Sequence, residues 1–344
     1  MLSGGIGSYG PCGPSSVVLI RNASGWAVTH RRPTLATTME YALQVSGTYE
    51  HVLDAARFAV ERRMVALALP DHYLLAMSEE EAATTPAPDA FIQFGGLARD
   101  TTDIELVMLV SPITFRHPAV LAKMAVTIDQ MSGGRFTLGV GTGWLDREHE
   151  VFGIAYPSMA ERFSMLEEAL GYLAAAFDPG HPGFTGSRYQ LESFPIAPSP
   201  TRPIPLVVGG RGKTKTPDLA GRFADEFNVY PGADIRERIA RFRAAATAAG
   251  RDPDVIRLSS SGQVHATASE QEFEDLMHER AAEMGISRED IEDFFEQRQT
   301  PRGTYEQVRS QLDDLADAGV ERFYFQGLFG RDVTSELLDG LEID

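Results

Sequence analysis

Cysteine is almost missing from this sequence: Cys12 is the single one in 344 residues, which excludes an intramolecular disulfide framework and any metal site built from cysteine thiolates. With that usage a cytoplasmic setting is the default expectation. Long apolar runs are missing too. No segment reaches the ~18 to 20 unbroken apolar residues that a membrane-spanning helix needs, so no membrane partner is expected. Basic residues are scarce beside acidic ones, 31 Lys plus Arg against 49 Asp plus Glu for a net charge of -18. That balance repels nucleic acid and anionic surfaces.

What the chain does have is a regular alternation. Residues 1–38 are rich in Gly, Ser, Pro and Thr and hold one short apolar run, VVLI at 17–20, too short for the apolar core of a secretory signal. They read as a disordered extension, or as a stretch upstream of a start at Met39. From Met39 onward short apolar runs alternate with amphipathic stretches, the pattern of βα units around a parallel sheet. MEYALQVSG (39–47), MVALALP (64–70), IELVMLVS (104–111) and RFTLGVG (135–141) read as four strands. IPLVVGG (204–210), ADEFNVY (224–230), VIRLSSSGQVHA (255–266) and VERFYFQG (320–327) supply four more. Thr48 caps a helix running to about Arg63, and another helix lies near Ala90 to Arg99; the polar stretch with EEE between them reads as a loop. His117 and Pro118 open a helix that Gly133 and Gly134 stop. Ser158 and Glu161 form a capping-box pattern ahead of Met159, Phe163, Leu166, Leu170, Leu173 and Phe177, a stripe that faces the core. Residues 178–205 form a Pro- and Gly-rich excursion, the kind of loop that covers something, and residues 270–299 hold two acidic helices that read as solvated faces. Eight such units predict one (β/α)8 barrel of the TIM class over 39–344, with insertions after strands four and seven. A doubly wound sheet is the competing arrangement.

In a parallel barrel the working groups gather at the carboxyl ends of the strands. Strand two ends in Asp71 and His72, strand three in Ser111 and Pro112, and strand four in Gly141, Thr142, Gly143 and Trp144. Strand five ends in Gly209, Gly210, Arg211, Gly212 and Lys213. Asp71 and His72 are the acid–base candidates, because a histidine beside a carboxylate can hold or pass a proton near neutral pH. Neighbours on an extended chain point opposite ways, so only one of the two need face a pocket. The glycines Gly139, Gly141 and Gly143 miss the dinucleotide fingerprint G-x-G-x-x-G, and glycines in a barrel strand can also make room for a neighbour's bulk. VVGGRGKTK misses the phosphate loop because Val207 stands where its first glycine belongs. A glycine-rich turn that leads into a helix and carries Arg211, Lys213 and Lys215 nevertheless suits an anion, through exposed N–H groups and the helix dipole. His117, ahead of a proline, reads as structural. Glu148, His149 and Glu150 lack a second ligand pair, so no metal is expected.

These residues in this order resemble the luciferase-like flavin and deazaflavin oxidoreductases, over about Met39 to Leu328. The marks are PDH (70–72), FRHPAVLAKMAVTIDQMSGGRFTLGVGTGW (115–144), the E-x-x-x-F-G of Glu148 to Gly153, ERFSMLEEAL, and PIPLVVGG followed by GRFADEFN. The likeness is greatest to the branch that uses coenzyme F420. It implies hydride transfer between F420 and a small organic substrate, and a homodimer. An FMN-dependent monooxygenase, supplied with reduced flavin by a partner flavin reductase, is the alternative; a barrel binding a phosphorylated ligand without redox chemistry is the third. The resemblance also implies that the ring lies against Leu109, Val110 and Ser111, where members often carry a non-proline cis peptide, here at Leu109–Val110 or Val110–Ser111. Gly141, Thr142, Gly143 and Trp144 then wall the pocket, the cofactor phosphate meets the 209–213 turn, and His72 lies near the ring to handle a proton. Trp144 stands where sugar 6-phosphate dehydrogenases of this branch carry glutamate, which argues against a sugar phosphate substrate. Substrate contacts are expected from the loops after Leu74 and at 178–205.

Overall fold

Each apolar run contains a strand of four to eight residues, and parallel neighbours pair until the last meets the first. The computed structural model describes residues 17–22, 25–30, 39–75, 78–327 and 331–343, in two units, 1–37 and 38–344. In the second unit eight strands form a closed parallel barrel: β1 Glu40–Gln44, β2 Ala66–Leu69, β3 Glu105–Pro112, β4 Phe136–Gly141, β5 Leu206–Gly210, β6 Glu226–Val229, β7 Arg257–Gly262 and β8 Arg322–Gln326. β8 pairs with β1, matching Tyr324 to Ala42, which completes the predicted (β/α)8 barrel and removes the doubly wound alternative. The first unit contains an antiparallel hairpin, Val17–Asn22 with Gly25–His30; the expectation for residues 1–38 otherwise lies outside the described residues, as does Leu328. No helix among the described residues is long and apolar enough to cross a membrane.

The helices are α1 Tyr49–Glu61, α2 Glu79–Thr84, α3 Ala90–Asp100, α4 Pro118–Ser132, α5 Asp146–Phe152, α6 Met159–Phe177, α7 Lys215–Phe223, α8 Ile235–Ala248, α9 Glu270–Met284, α10 Arg288–Arg298, α11 Tyr305–Asp317 and α12 Arg331–Gly340. Most of their starts follow side chains that cap them, those of α5, α7 and α8 excepted. His117 accepts from the Ala119 N–H at the head of α4, and Ser158 and Glu161 close a reciprocal capping box on α6. Gly133 ends α4 in the left-handed conformation, φ 69°.

Three sequence expectations change. The EEE stretch is the short helix α2, because Ser78 accepts from the Glu81 N–H and fixes its first turn. β7 stops at Gly262; His265–Thr267 instead pairs in parallel with Arg302–Thr304, and this small sheet frames α9 and α10. The second half of the 178–205 excursion covers the outside of the barrel wall. Lys123 and Gln130 of α4 donate to its Ala197 and Ser199 carbonyls, and Arg202 donates to Gly134 and Phe136 oxygens at the amino end of β4.

Inside the barrel, side chains alternate in layers. The amino end is closed by an ionic floor: Arg322, 2% exposed, donates to Glu40 (3.0 Å), to Glu105 (2.9 Å) and to the Tyr324 hydroxyl (3.1 Å). Tyr324 donates to Glu226, which also receives Arg257, and Thr137 donates to Glu105. Burial and the Glu226 charge hold the Tyr324 hydroxyl far above its ordinary pKa, so it stays a donor. Above this floor the lining is small: Ala42, Ala66, Ala68, Gly139, Gly141 and Gly209, with Val107, Leu109 and Val110 from β3 filling part of the space. The pairing of β3 with β4 is irregular between Met108 and Ser111, and the Leu109–Val110 peptide there is cis. A Cβ on Gly139 would lie 2.1 Å from the Met108 oxygen and 2.8 Å from Val110 Cγ1. The glycines therefore accommodate the β3 irregularity, the room-making role of strand glycines.

Two predictions follow from this packing. Gly139→Ala is expected to cost at least ~3 kcal/mol or prevent folding, whereas Gly133→Ala, where only the left-handed φ is at stake and no atom lies within 4 Å, should cost ~1 kcal/mol; urea unfolding of the two variants separates steric conflict from backbone preference, and equal losses would contradict it. His265 lies against Phe295 with ring centroids 4.6 Å apart and planes tilted by 35°, and burial, aided by Arg280 and Arg302, brings its pKa down to about 4. The unfolded chain, with an ordinary histidine near 6.5, takes up a proton that the fold refuses, so this residue costs stability progressively as pH falls from about 6.5 to about 4, by up to roughly 3 kcal/mol. His265→Phe, which keeps a ring on Phe295, should flatten that part of the stability-versus-pH curve; an unchanged slope would rule the residue out as its source.

Candidate active site

Three strand ends converge on one corner of the barrel mouth: 70–73 after β2, 111–116 after β3 and 142–148 after β4. Pro70, Asp71 and His72 follow the end of β2, and Asp71 and His72 engage different partners. Asp71 turns inward and is fully buried. Ser111 Oγ donates to its Oδ2 at 2.6 Å, and Arg116 clasps both of its oxygens through Nη1 and Nη2. The same Arg116 reaches Asp89, the cap of α3, at 2.6 Å and lies over the Phe91 ring at 4.7 Å. Burial raises the Asp71 pKa, with Arg116 and Ser111 pulling against that rise. Its carboxylate is thus occupied by a structural clamp.

His72 finds its carboxylate elsewhere. Its Nδ1 lies 3.1 and 3.2 Å from the two oxygens of Glu148, a fully buried residue of α5 that also accepts from the Tyr73 N–H at 3.1 Å. A carboxylate only accepts, so Nδ1 carries the hydrogen and Nε2 is left as the basic nitrogen, with no hydrogen-bond partner among the described residues. The Trp144 ring stands edge-on to the imidazole at 5.8 Å and is 69% exposed at the rim. Tyr73 stacks on Phe115 at 4.5 Å behind it. Glu148 and His149, which sequence alone groups with Glu150, part company: His149 donates from Nδ1 to the Leu145 oxygen and accepts from Thr114 at Nε2, so both its ring nitrogens are used. No cluster of His, Cys, Asp or Glu able to hold a metal occurs among the described residues.

The β3 segment lies across the mouth. The Leu109 oxygen accepts from Gln44 Nε2 at 2.5 Å, Gln44 Oε1 accepts from Gln326, and Ser111 is committed to Asp71. The Val110 side chain faces Gly139, Gly141 and Gly209. Gly143 takes a left-handed φ of 75°, and its oxygen and that of Thr142 accept from Arg162, a buried guanidinium of α6 that also lies 3.8 Å over Tyr156. At the end of β5, Gly209 and Gly210 lead through Arg211, Gly212 and Lys213 into α7, whose first-turn N–H groups receive no side-chain cap from Thr214. A Cβ on Gly212 would lie 2.4 Å from Thr216 Oγ1, so the turn needs glycine to close. Lys213 pairs with Asp234 at 3.5 Å, while Arg211 lies over Tyr230 at 4.9 Å.

The predicted residues therefore fall into two groups, Asp71, His72, Leu109 to Ser111 and Gly141 to Trp144 on one side of the mouth, and the 209–213 turn at the end of β5. Sequence reasoning missed Gln44, Arg116, Glu148 as the partner of His72, Arg162 and Gln326. For Arg116, Glu148 and Arg162 a signal was present, in the FRHP, E-x-x-x-F-G and ERFSMLEEAL motifs; nothing local marked Gln44 or Gln326.

With this geometry in place, comparison with known proteins is informative. The family model described as luciferase-like monooxygenase matches residues 24–325. The pyrimidine monooxygenase RutA of Allorhizobium ampelinum is 30% identical over 182 residues, 49% of this chain and 48% of that protein; the chain spans about half the length of the curated relatives it matches. Among solved structures, an F420-dependent secondary alcohol dehydrogenase bound to an F420–acetone adduct superposes with a TM-score of 0.72 at 18% identity, covering 88% of this chain and 99% of that one. The EDTA monooxygenase EmoA of Chelativorans sp. BNC1 gives 0.71 at 18% identity, covering 88% and 92%. At such identities these two likenesses are of fold.

Stability and chemistry separate at Asp71 and His72. Asp71→Ala leaves the Arg116 guanidinium buried beside an empty position and is expected to cost roughly 3 to 5 kcal/mol, whereas His72→Ala, at the edge of the mouth, should cost no more than ~1 kcal/mol. Chemical denaturation of both variants checks the division; similar losses would contradict it.

Proposed function

The chain belongs to the luciferase-like monooxygenase family, and from that membership we propose that it is an F420-dependent oxidoreductase moving a hydride between the deazaflavin and a small organic substrate. The observation that carries this reading is the His72–Glu148 pair, which leaves one basic nitrogen, Nε2, at the barrel mouth beside a space lined by small residues. The residues fit such a group. Val110 above Gly139, Gly141 and Gly209 leaves a shallow floor for a flat ring, with the Gln44–Gln326 amides at its edge. The uncapped head of α7 and the 209–213 turn offer backbone N–H groups and Arg211 for a phosphate.

When bound, a deazaflavin supplies a ring carbon that gives or takes hydride and reacts poorly with oxygen, and the protein contributes position and electrostatics. His72 Nε2 takes the proton that a substrate hydroxyl loses on oxidation, or returns one in the opposite direction. Glu148 keeps the imidazole in the tautomer that leaves Nε2 basic and stabilises the ring once charged. Asp71 and Arg116 act at one remove by holding the backbone from which His72 projects. Trp144, edge-on to His72 at the rim, stands in place of a glutamate and argues against a sugar phosphate there.

A second reading, an FMN-dependent monooxygenase supplied with reduced flavin by a partner reductase, is favoured by one observation: the pyrimidine monooxygenase noted above matches this chain at 30% identity. Titration of the purified protein with F420 and with FMN, followed by fluorescence, decides. Saturable F420 binding is expected. Tight FMN binding with no F420 binding would overturn the first reading in favour of the second, and binding of neither would favour a barrel for a phosphorylated ligand. His72→Ala is expected to slow turnover roughly 10² to 10⁴-fold while cofactor affinity stays within a few fold; an unchanged rate removes His72 from the mechanism.

A further inference from the structure

Tryptophan is highly buried on average, yet Trp144 keeps 69% of its surface in water at the rim of the barrel. Its edge-on contact with His72, ring centroids 5.8 Å apart, is its one ring or hydrogen-bond contact among the described residues. Other rings of this corner are taken up by one another: Tyr73 stacks on Phe115 and meets Phe152 in a T, and Tyr156 packs against His149 and under Arg162. The faces and the Nε1–H of the indole are left open beside the imidazole whose Nε2 is the free base. The backbone that presents it is held, because Gly143 turns with φ 75° and Arg162 donates to the Thr142 and Gly143 oxygens. A side chain on a pinned backbone costs little to order around a ligand.

The charges of the same corner turn acids away. Asp71 and Asp89 share Arg116, and Glu148 backs His72. Arg147, set among Asp146, Glu148 and Glu150 in α5, pairs with Glu150 at 3.3 Å. Arg162 is buried and spends its N–H groups on the Pro157, Thr142 and Gly143 oxygens. The guanidiniums of this corner are therefore engaged, whereas the Glu148 carboxylate lies just behind the base. An ionised acid brought there meets like charge and loses its water without gaining a counter-ion.

We infer that Trp144 is the surface on which the substrate lies, and that the substrate has a flat apolar body, a hydroxyl or carbonyl turned to His72 Nε2, and no acidic group. The inference rests on the reading of His72 as the residue that handles the proton, and adds the class of molecule it serves. A ring on the indole face gains both burial and stacking. The edge-on arrangement lets one molecule meet both residues, its body covering the indole while its oxygen reaches the imidazole. Specificity then comes from an aromatic contact on one side and an uncompensated cost for acids on the other.

The test measures binding by calorimetry for wild type, Trp144→Phe and Trp144→Ala, with and without whichever of F420 or FMN the protein binds. The probes are benzyl alcohol, naphthylmethanol and mandelate, the last being benzyl alcohol with a carboxylate on its alcohol carbon. Trp26→Phe leaves Trp144 as the one tryptophan, so its emission gives an independent readout. The two alcohols should bind about tenfold or more tighter than mandelate and change that emission saturably. Trp144→Ala should weaken them by a few fold to about tenfold, and Trp144→Phe should recover most of the loss. Mandelate binding as tightly as benzyl alcohol, alcohol affinities untouched in Trp144→Ala, or no binding of any probe with or without cofactor overturns the inference. Alcohols bound on Trp144 in a protein that takes neither F420 nor FMN uphold it while both redox readings fail. F420 binding together with a preference for mandelate keeps the redox reading and rejects the inference.

Discussion

A Cβ at position 139 would stand 2.1 Å from the carbonyl oxygen of Met108, and one at 141 would stand 2.9 Å from Val110 Cγ2. The third barrel strand can therefore lose register between Met108 and Ser111 only because β4 offers no side chains there. From that irregularity much of the mouth follows. Leu109 and Val110 both join the barrel interior, the Leu109 oxygen turns towards Gln44, and Ser111 is delivered to Asp71. Asp71 in turn fixes Arg116, which ties the end of β2 to the head of α3. The position of His72 is thus the last link of a chain that begins with two missing side chains on the neighbouring strand.

The two ends of the barrel spend their polar groups differently. At the amino end Arg322, Arg257, Glu40, Glu105 and Glu226 answer one another within a closed network. A network of this kind is a modest contributor to net stability, but removing one member leaves an uncompensated buried charge. At the carboxyl end Asp71 and His149 are fully engaged, but Glu148 takes only His72 Nδ1 and leaves Nε2. A ring nitrogen left free at the open end, above a floor of charges that answer one another, is consistent with a ligand site in terms of charge balance.

Much of the architecture was legible in the sequence, because the signals that carry it are local. Short apolar runs marked all eight barrel strands, and the side-chain caps Thr48 and Ser158 and the left-handed Gly133 marked helix ends. The strand ends that carry the candidate site were legible for the same reason, since βα alternation puts them on one rim. What was not legible depends on partners distant in sequence. Asp71 and His72 are adjacent, yet one pairs with Arg116 and the other with Glu148, 45 and 76 residues away. Gly139 and Gly141 could be read as making room for a neighbour's bulk, but that the neighbour is the irregular stretch of β3 was not legible. The excursion at 178–205 had the composition of a functional lid, but Asp129, Lys123 and Gln130 bind it along α4 through contacts that no composition encodes. α2 was hidden by its run of three glutamates, whose acidity suits a helix start as well as a loop.

The most direct test of the site itself is a crystal structure of the protein with F420 or FMN bound. The expected result is a ring lying against the Leu109–Val110 peptide above Gly139, Gly141 and Gly209, with its reactive edge towards His72 Nε2. A ring found instead in the groove of about 300 Å³ between α4, the end of α6 and the 196–203 segment, with the barrel mouth holding only solvent, would contradict it.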